Sequence, residues 1–305
     1  MVDTIVVGGG VIGLTTAVRL AERGLSVRVW TRDPAAETTS SVAGGLIWPY
    51  RIEPRERALE WAVRSFRVFA ALAEQPERTG VRLMRGTMKE NGDGVPPEWE
   101  ALVGSPPRAP LVDMRTYLPY LRDRLEVAGG SYEQCTLRSL DEAAREARTV
   151  VNCTGLGARE LVPDPGMRAV RGQLVIVENP GLEEWYVSTD EESGESTYVL
   201  PQPFGAVLGG TAHDGEEQRE PDSLVAEAIV RRCARIHPEL AQARVREHRV
   251  GLRPYRESVR LEAQRLPGGG LLVHNYGHGG AGVTVSWACA EDAARLVREE
   301  TPQEG

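Results

Sequence analysis

The feature that most constrains this chain is a glycine-rich turn between a short apolar run and a helical pattern near its N-terminus. Residues 4–7 are mostly β-branched without polar alternation, which is typical of a strand buried on both faces. Gly8, Gly10 and Gly13 follow with the spacing G-x-G-x-x-G, and a helix and a second strand complete the unit within about 30 residues. This order predicts a Rossmann-type unit, whose helix N-terminus presents free N–H groups to the phosphates of a dinucleotide.

A second unit of the same kind is predicted at the other end of the chain. A strand over 271–275 is followed by a glycine-rich turn and by a helix to about residue 299. Between the two units, short strands at 174–177, 198–200 and 206–208 are typical of an antiparallel sheet. The prediction is an α/β fold, with a Rossmann-type nucleotide-binding domain built from both chain ends and an inserted α+β substrate domain containing an antiparallel sheet.

The intervening segments predict further helices and one long loop. Apolar residues at helical spacing predict helices over 55–73, 115–127 and 223–236, the second of them despite Pro119. The region 91–110 is rich in Gly and Pro and is predicted to be a loop.

Composition and charge exclude several classes of function. The 36 basic and 44 acidic residues give a net charge of -8. Together with the lack of a Lys/Arg block, this argues against a nucleic-acid partner. The four cysteines are far apart, so neither a metal site nor a disulfide framework is predicted. Lys89 is the single lysine and adjoins a polar turn, so Schiff-base chemistry and the tyrosine–lysine pair of short-chain dehydrogenases are excluded.

The targeting signals favour a cytoplasmic protein. No apolar stretch approaches the ~20 residues of a membrane helix, and the N-terminus lacks the basic region of a signal peptide. The C-terminal residues do not form a peroxisomal Ser-Lys-Leu-type address.

The residues after the second strand leave the cofactor open. Asp33 lies about 20 residues after Gly13, where an acid is expected to bind the ribose hydroxyls. Arg32 precedes it and fits the 2′-phosphate of NADP. The first motif alone therefore permits either a flavin or a nicotinamide dinucleotide.

The C-terminal segment LVHNYGHGGAG, at 272–282, resembles the signature of the D-amino-acid oxidases, an FAD-dependent family that includes the D-aspartate oxidases. Three further groups of residues are similar to the same family, in the same order along nearly the whole chain. They are TTS, AGGL and PY within 38–50, NCTG at 152–155 with RGQ at 171–173, and GLRP at 251–254.

The resemblance implies FAD as cofactor and a division of the chain into two domains. The FAD-binding domain comprises 1–50, 136–170 and 248–305, and the substrate and interface domain comprises 51–135 and 171–247. In the implied site, the N–H groups at the start of the last helix face the flavin C2 carbonyl, where the helix dipole stabilises negative charge. The implied cofactor-binding residues are Gly8, Gly10, Val11, Ile12, Gly13, Arg32, Asp33, Thr38, Thr39, Ser40, Gly44, Gly45, Leu46, Leu137, Thr154, Gly155, Gly279, Gly280, Gly282, Val283 and Thr284.

The resemblance also implies oxidative deamination of a D-amino acid. Arg253 would hold the substrate carboxylate bidentately, Tyr198 would donate to the same carboxylate, and the backbone carbonyl of Gly280 would accept from the amine. Hydride transfer from the α-carbon to flavin N5 leaves an imine that hydrolyses to a 2-oxo acid and ammonia, and oxygen is reduced to hydrogen peroxide. The expected partners are the D-amino acid, oxygen and a second copy of the chain in a homodimer.

Two departures from the family pattern bear on the substrate. The lid loop at 190–197 has no tyrosine, although relatives often carry one there. Ala212 follows Gly209-Gly210-Thr211 where relatives with acidic substrates have an arginine, so we expect neutral D-amino acids.

Three other interpretations stay open at this point. The first is a glycine or sarcosine oxidase-like flavoenzyme, which shares the fold, and the second is an NADP-dependent dehydrogenase, which Arg32 permits. The third is a flavin-binding protein without oxidase activity, in which Arg253 serves only an ion pair. His278 either contacts the flavin or is a structural residue of the glycine turn.

Overall fold

The computed structural model describes residues 2–50, 52–89, 97–189 and 196–300. The strands are β1 Val2–Val7, β2 Val27–Thr31, β3 Val81–Lys89, β4 Arg108–Val112, β5 Ser131–Gln134, β6 Ala147–Asn152, β7 Arg168–Val177, β8 Trp185–Thr189, β9 Ser196–Gln202, β10 Gly205–Gly209, β11 His213–Asp214, β12 Val245–Arg265 and β13 Leu271–His278. The helices are α1 Val11–Ala21, α2 Thr39–Val42, α3 Arg55–Leu72, α4 Pro76–Thr79, α5 Pro97–Val103, α6 Met114–Val127, α7 Leu140–Ala144, α8 Ala158–Leu161, α9 Ser223–Ile236 and α10 Gly282–Glu300.

The strands form one sheet with a parallel part and a mostly antiparallel part. Its order is β4-β3-β8-β9-β10-β7-β12-β13-β6-β1-β2-β5, with β11 beside β7. The pairs β13–β6, β6–β1, β1–β2 and β2–β5 are parallel, whereas β9, β10, β7, β12 and β13 pair antiparallel in that order. The predicted fold class, a Rossmann-type part from both chain ends with an antiparallel part between, is confirmed.

The long strand β12 joins the two parts of the sheet. Its first half, from Val245 to Tyr255, pairs with β7, and its second half, to Arg265, pairs with β13. Sequence patterning did not predict this strand, because its alternation of buried and exposed positions is irregular along its length. The division into two domains stays a prediction, since one sheet runs through both.

The predicted elements at the two chain ends are present, with one correction. β1, α1 and β2 follow the N-terminal pattern, and α3, α6 and α9 match the three predicted helices to within about two residues. The strand predicted over 271–275 continues to His278, so the glycine-rich turn is confined to Gly279–Ala281 before α10 begins.

The prediction of a loop over 91–110 is wrong for the residues of this region that the structure describes. This region contains α5 and the start of β4, and residues 90–96 lie outside the described residues. Trp99 of α5 is fully buried and contacts Trp48 and Phe66 edge-to-face. Burial of this aromatic side chain outweighs the local Gly and Pro content.

None of the helices in the described ranges is both long enough and apolar enough to span a membrane.

Candidate active site

A cavity of about 610 Å³ opens at the carboxyl ends of the parallel strands, within the size range of cofactor sites. The segments that follow β1, β2, β5 and β6 line one end of it, and β7, β9, β12 and β13 contribute to the rest. Ligands bind at this edge of open α/β sheets because helix N-termini and loops converge there. Every residue predicted for the site lines this cavity, with Gly13 as the single exception.

Gly13 allows close packing between α1 and β1. A Cβ at Gly13 would lie 1.8 Å from the carbonyl oxygen of Gly8, so α1 can approach β1 only if this position is glycine. Gly8 itself has φ +118°, a conformation that side chains disfavour. This is the packing role that the third glycine of such a motif is expected to have, and the assignment of Gly13 to the cofactor stays a prediction.

The N-terminus of α1 forms a cradle for phosphates. Gly10 is the N-cap and has no side-chain cap, and the Val11 N–H donates to Ser40 Oγ at 2.9 Å. The partial positive charge of the helix N-terminus thus faces the cavity beside a hydroxyl from α2. A helix N-terminus that begins at a glycine, beside the Ser40 hydroxyl, fits the pyrophosphate of a dinucleotide.

Arg32 and Asp33 lie together at the cavity wall as an ion pair. Arg32 Nη2 donates to Asp33 Oδ2 at 2.8 Å, and this hydrogen bond holds the pKa of the Asp33 carboxyl below its usual range. Because the guanidinium is already paired with a carboxylate, it is a weaker partner for a 2′-phosphate. The pairing argues against the NADP interpretation.

The turn after β6 is fixed by a buried asparagine. Asn152 Oδ1 accepts hydrogen bonds from Thr154 N–H at 3.2 Å and from Thr154 Oγ1 at 2.7 Å. Its amide nitrogen lies 3.3 Å from His274 Nδ1. These contacts hold Thr154 and Gly155 at the cavity and link the NCTG segment to the C-terminal signature.

His278 presents a buried polar atom without a partner at the cavity wall. The residue is 2% exposed, and its Nε2 has no hydrogen-bond partner among the described residues. Burial lowers the pKa of its imidazole to about 3, so it is neutral at physiological pH. An orphaned buried nitrogen is costly unless a bound group satisfies it, which supports a polar cofactor in this cavity.

We expect His278 and His274 to make the protein less stable in mild acid. Burial lowers the pKa of His274 to about 4, and both values lie below the ordinary 6.5. Between pH 6.5 and about 4 the unfolded chain therefore binds more protons than the folded one. The free energy of unfolding should fall by about 1.4 kcal/mol per pH unit for each histidine as pH is lowered through this window.

Urea unfolding of wild type and the H278Q variant between pH 4 and 7 tests this expectation. The variant cannot titrate at 278. Its free energy of unfolding should therefore fall less steeply with decreasing pH than that of wild type, by about 1.4 kcal/mol per pH unit. Equal slopes for the two proteins would contradict it.

The three residues predicted to bind substrate line the same cavity. Tyr198 lies on β9, Arg253 on β12 and Gly280 in the turn before α10. Burial raises the pKa of the Tyr198 hydroxyl, and the charge of Arg253 partly offsets this. The hydroxyl is therefore protonated at neutral pH and available as a donor.

Arg253 is the group that sets the chemistry of this end of the cavity. Its Nη1 donates to the carbonyl oxygen of Thr211 at 2.9 Å. Within the described ranges, no carboxylate forms a salt bridge with it, in contrast to arginines such as Arg32, Arg64 and Arg256. A half-buried guanidinium beside a tyrosine hydroxyl is a site for an anion with the geometry of a carboxylate.

The sequence did not predict an apolar wall that forms part of the cavity. Met88 and Val187 are register partners in the parallel β3–β8 pair and line the cavity with Trp48 and Tyr50. The Tyr50 hydroxyl accepts a hydrogen bond from Ser196 Oγ at 3.2 Å. The one sequence signal for this wall was the motif that contains Tyr50. Met88 and Val187 gave no signal, because the β3–β8 pairing joins segments that are distant in the chain. Residues 190–195 of the predicted lid lie outside the described residues.

The fold and the cavity define a dinucleotide-binding α/β protein whose cavity is also lined by the guanidinium of Arg253, a group suited to binding a carboxylate. A sequence model of the FAD dependent oxidoreductases of the DAO family matches residues 3–105 and 101–296. The chain belongs to this family, and its cofactor is FAD.

Relatives and solved structures agree with this assignment. The chain is 57% identical to a D-amino-acid oxidase of Streptomyces coelicolor, over 97% of this chain and 96% of that protein. It is 49% identical to a D-amino-acid oxidase of Rubrobacter xylanophilus (96% and 95%) and 32% identical to the human D-aspartate oxidase (96% and 94%). A glycine oxidase from Geobacillus kaustophilus shares the fold, with a TM-score of 0.79, 19% identity, and coverage of 99% of this chain and 96% of that one.

Proposed function

We propose that this protein catalyses the FAD-dependent oxidative deamination of neutral D-amino acids. The observation that carries the proposal is the guanidinium of Arg253, which faces the cavity beside the Tyr198 hydroxyl without a salt bridge to a described carboxylate. The relatives that are 57% and 49% identical are both D-amino-acid oxidases. A carboxylate-binding site in a flavin cavity is what an amino-acid oxidase requires.

The site residues act mainly by positioning the substrate. Arg253 and Tyr198 hold the carboxylate, and the Gly280 carbonyl accepts from the amine, so the α-hydrogen has one orientation in the cavity. Bound FAD supplies the two-electron oxidation of the substrate. In total, a D-amino acid, oxygen and water give a 2-oxo acid, ammonia and hydrogen peroxide.

The walls of the cavity support a neutral substrate side chain. Met88, Val187 and Trp48 give part of the cavity an apolar surface, on which a second carboxylate would lose its hydration without a compensating cation. The remaining charged lining residues lie on segments outside this wall: Arg32, Asp33, Glu37, Arg138, Glu160 and Arg219. Ala212, which follows the Gly-Gly-Thr segment, supplies no cation.

Visible absorption spectra recorded without oxygen test the proposed function. The flavin bands of the holoenzyme should bleach on addition of D-alanine and stay unchanged with L-alanine, which is the stereochemical control. Bleaching by glycine or sarcosine but not by D-alanine would contradict the proposal in favour of a glycine oxidase-like enzyme. Bound flavin that no amine reduces would indicate a binding protein without oxidase activity.

We also propose that the enzyme is a cytoplasmic homodimer. Light scattering after size-exclusion chromatography should give twice the chain mass of 33.4 kDa. A single-chain mass at micromolar concentration would contradict the dimer. Fractionation of the native cells should recover the activity from the cytoplasm, and recovery from the medium or the membranes would contradict that location.

A further inference from the structure

The two side chains that bind the substrate carboxylate rest against backbone that carries no side chain. A Cβ at Gly172 of β7 would lie 2.3 Å from Arg253 Nη1 and 2.6 Å from both Cζ and Nη2. Side-chain atoms never approach a Cβ this closely, so the guanidinium occupies the space that any other residue at 172 would fill. Gly172 belongs to the RGQ segment, to which the proposed chemistry assigns no role.

Strand register explains why the guanidinium reaches this point. Gly172 pairs directly with Gly251 of β12, and Arg253 is two residues further along β12. Residues two apart on a strand point to the same face, so the Arg253 side chain lies diagonally over Gly172. The Thr211 carbonyl, 2.9 Å from Nη1, then fixes the plane of the fork.

The neighbours of Gly172 in the RGQ segment hold that part of β7 in place. Arg171 is 3% exposed and donates to the carbonyl oxygens of Gln218 and Glu220 at 2.9 and 2.8 Å. Gln173 receives the Asp222 N–H at 2.9 Å. With both flanking residues anchored, the backbone at Gly172 cannot recede to admit a side chain.

Tyr198 is seated on glycine in a similar way. Gly209 of β10 is its direct register partner, and a Cβ there would lie 1.9 to 2.3 Å from the tyrosine ring and hydroxyl. A Cβ at Gly210 would lie 2.8 Å from the same hydroxyl. Behind them, Arg232 of α9 donates to the Gly210 carbonyl at 3.0 Å and supports this backbone from the far side.

We infer that Gly172 and Gly209 are positioning residues, which set the places of Arg253 and Tyr198 by leaving room for them. The inference rests on the proposed function, because it assigns the glycines to the binding of that substrate's carboxylate. A purely structural role for Gly172 in the β7–β12 pair is the alternative. If Gly172 positions Arg253, the effect of a side chain at 172 depends on the presence of the guanidinium. If its role is purely structural, the effect is the same without the guanidinium.

Steady-state kinetics of G172A holoenzyme with D-alanine is the first test. We expect KM to rise at least about tenfold, with a smaller change in kcat and an unchanged FAD content, because the displaced fork meets the carboxylate poorly. The matched control is G268A, where a Cβ meets nothing within 4 Å and KM should stay as in wild type. An unchanged KM in G172A would overturn the inference.

A double-mutant cycle with R253K separates positioning from structure. Lysine keeps the charge but lacks the planar fork, so the added methyl at 172 no longer meets a guanidinium. Both the rise in KM and any fall in thermal midpoint caused by G172A should therefore shrink at least threefold in the R253K background. Equal effects in both backgrounds would overturn the inference.

The two proposals fail in different ways. If wild-type holoenzyme does not oxidise D-alanine, the proposed function is wrong, and the thermal midpoints of the cycle still decide whether Gly172 accommodates Arg253. If wild type oxidises D-alanine but the cycle shows no coupling, only the positioning role is wrong. If G172A does not fold, recovery of folding in G172A/R253K supports the inference and failure of the double variant overturns it.

Discussion

Replacement of Arg253 by glutamine is expected to lower kcat/KM for D-alanine by about 1,000-fold. Glutamine keeps a polar side chain but removes the cation and the two parallel N–H donors that hold a carboxylate. A loss of about 4 kcal/mol is typical when one partner of a buried charged pair is removed, and each 1.36 kcal/mol is a factor of ten in rate. Steady-state kinetics on the holoenzyme measures the change.

The replacement of Arg253 should affect the binding and turnover of the substrate but not the binding of FAD. FAD content and the flavin spectrum should match wild type, since Arg253 belongs to β12 and not to the glycine turn between β1 and α1 that we expect to receive the phosphates. The matched control is R246Q on the same strand, where the arginine is exposed and pairs with Glu178 at 3.2 Å. That variant should keep wild-type kinetics, and a loss in R253Q of less than tenfold would contradict the assigned role.

Replacement of Gly10 by valine is expected to weaken FAD binding by at least about 100-fold. The first atom of a side chain at this N-cap would lie 3.0 Å from Ser40 Oγ, and the valine methyls would cover the helix N-terminus that we expect to receive the phosphates. A factor of 100 corresponds to about 2.7 kcal/mol of binding free energy. Titration of the apoprotein with FAD, followed by flavin fluorescence, gives the dissociation constant.

The control for this variant is G268V in the exposed turn between β12 and β13, where a Cβ has open space. Its FAD affinity should equal that of wild type. The thermal midpoint of the G10V apoprotein should stay close to that of wild-type apoprotein, because Gly10, unlike Gly8 and Gly13, meets no backbone atom. An unchanged FAD affinity in G10V would show that the phosphates bind elsewhere.

Local sequence signals predicted the elements that short-range physics determines. The β1–turn–α1–β2 unit follows from a β-branched run, three glycines and a helical period, all within the first 31 residues. The helix α9 follows from its apolar period and from Asp222, whose carboxylate accepts the Leu224 N–H at 2.8 Å. Each of these signals lies within a few residues of the structure it predicts.

Elements that depend on distant partners were missed. Trp99 and α5 are buried by contacts with Trp48 and Phe66, and no local pattern marks that burial. The strand β12 exists because it pairs with β7 on one side and β13 on the other, each through half of its length.

By itself, the sequence determined the fold class, the family resemblance and the identity of many cavity-lining residues, because glycine turns and signature segments are contiguous in the chain. Only the tertiary structure decided which groups meet. It brought Tyr198 and Arg253 into one cavity, paired Met88 with Val187 in the wall of the same cavity, and placed the guanidinium against Gly172, which has no side chain. The physical reason is that these contacts join strands far apart in sequence, whose register is fixed by hydrogen bonds and packing across the whole sheet.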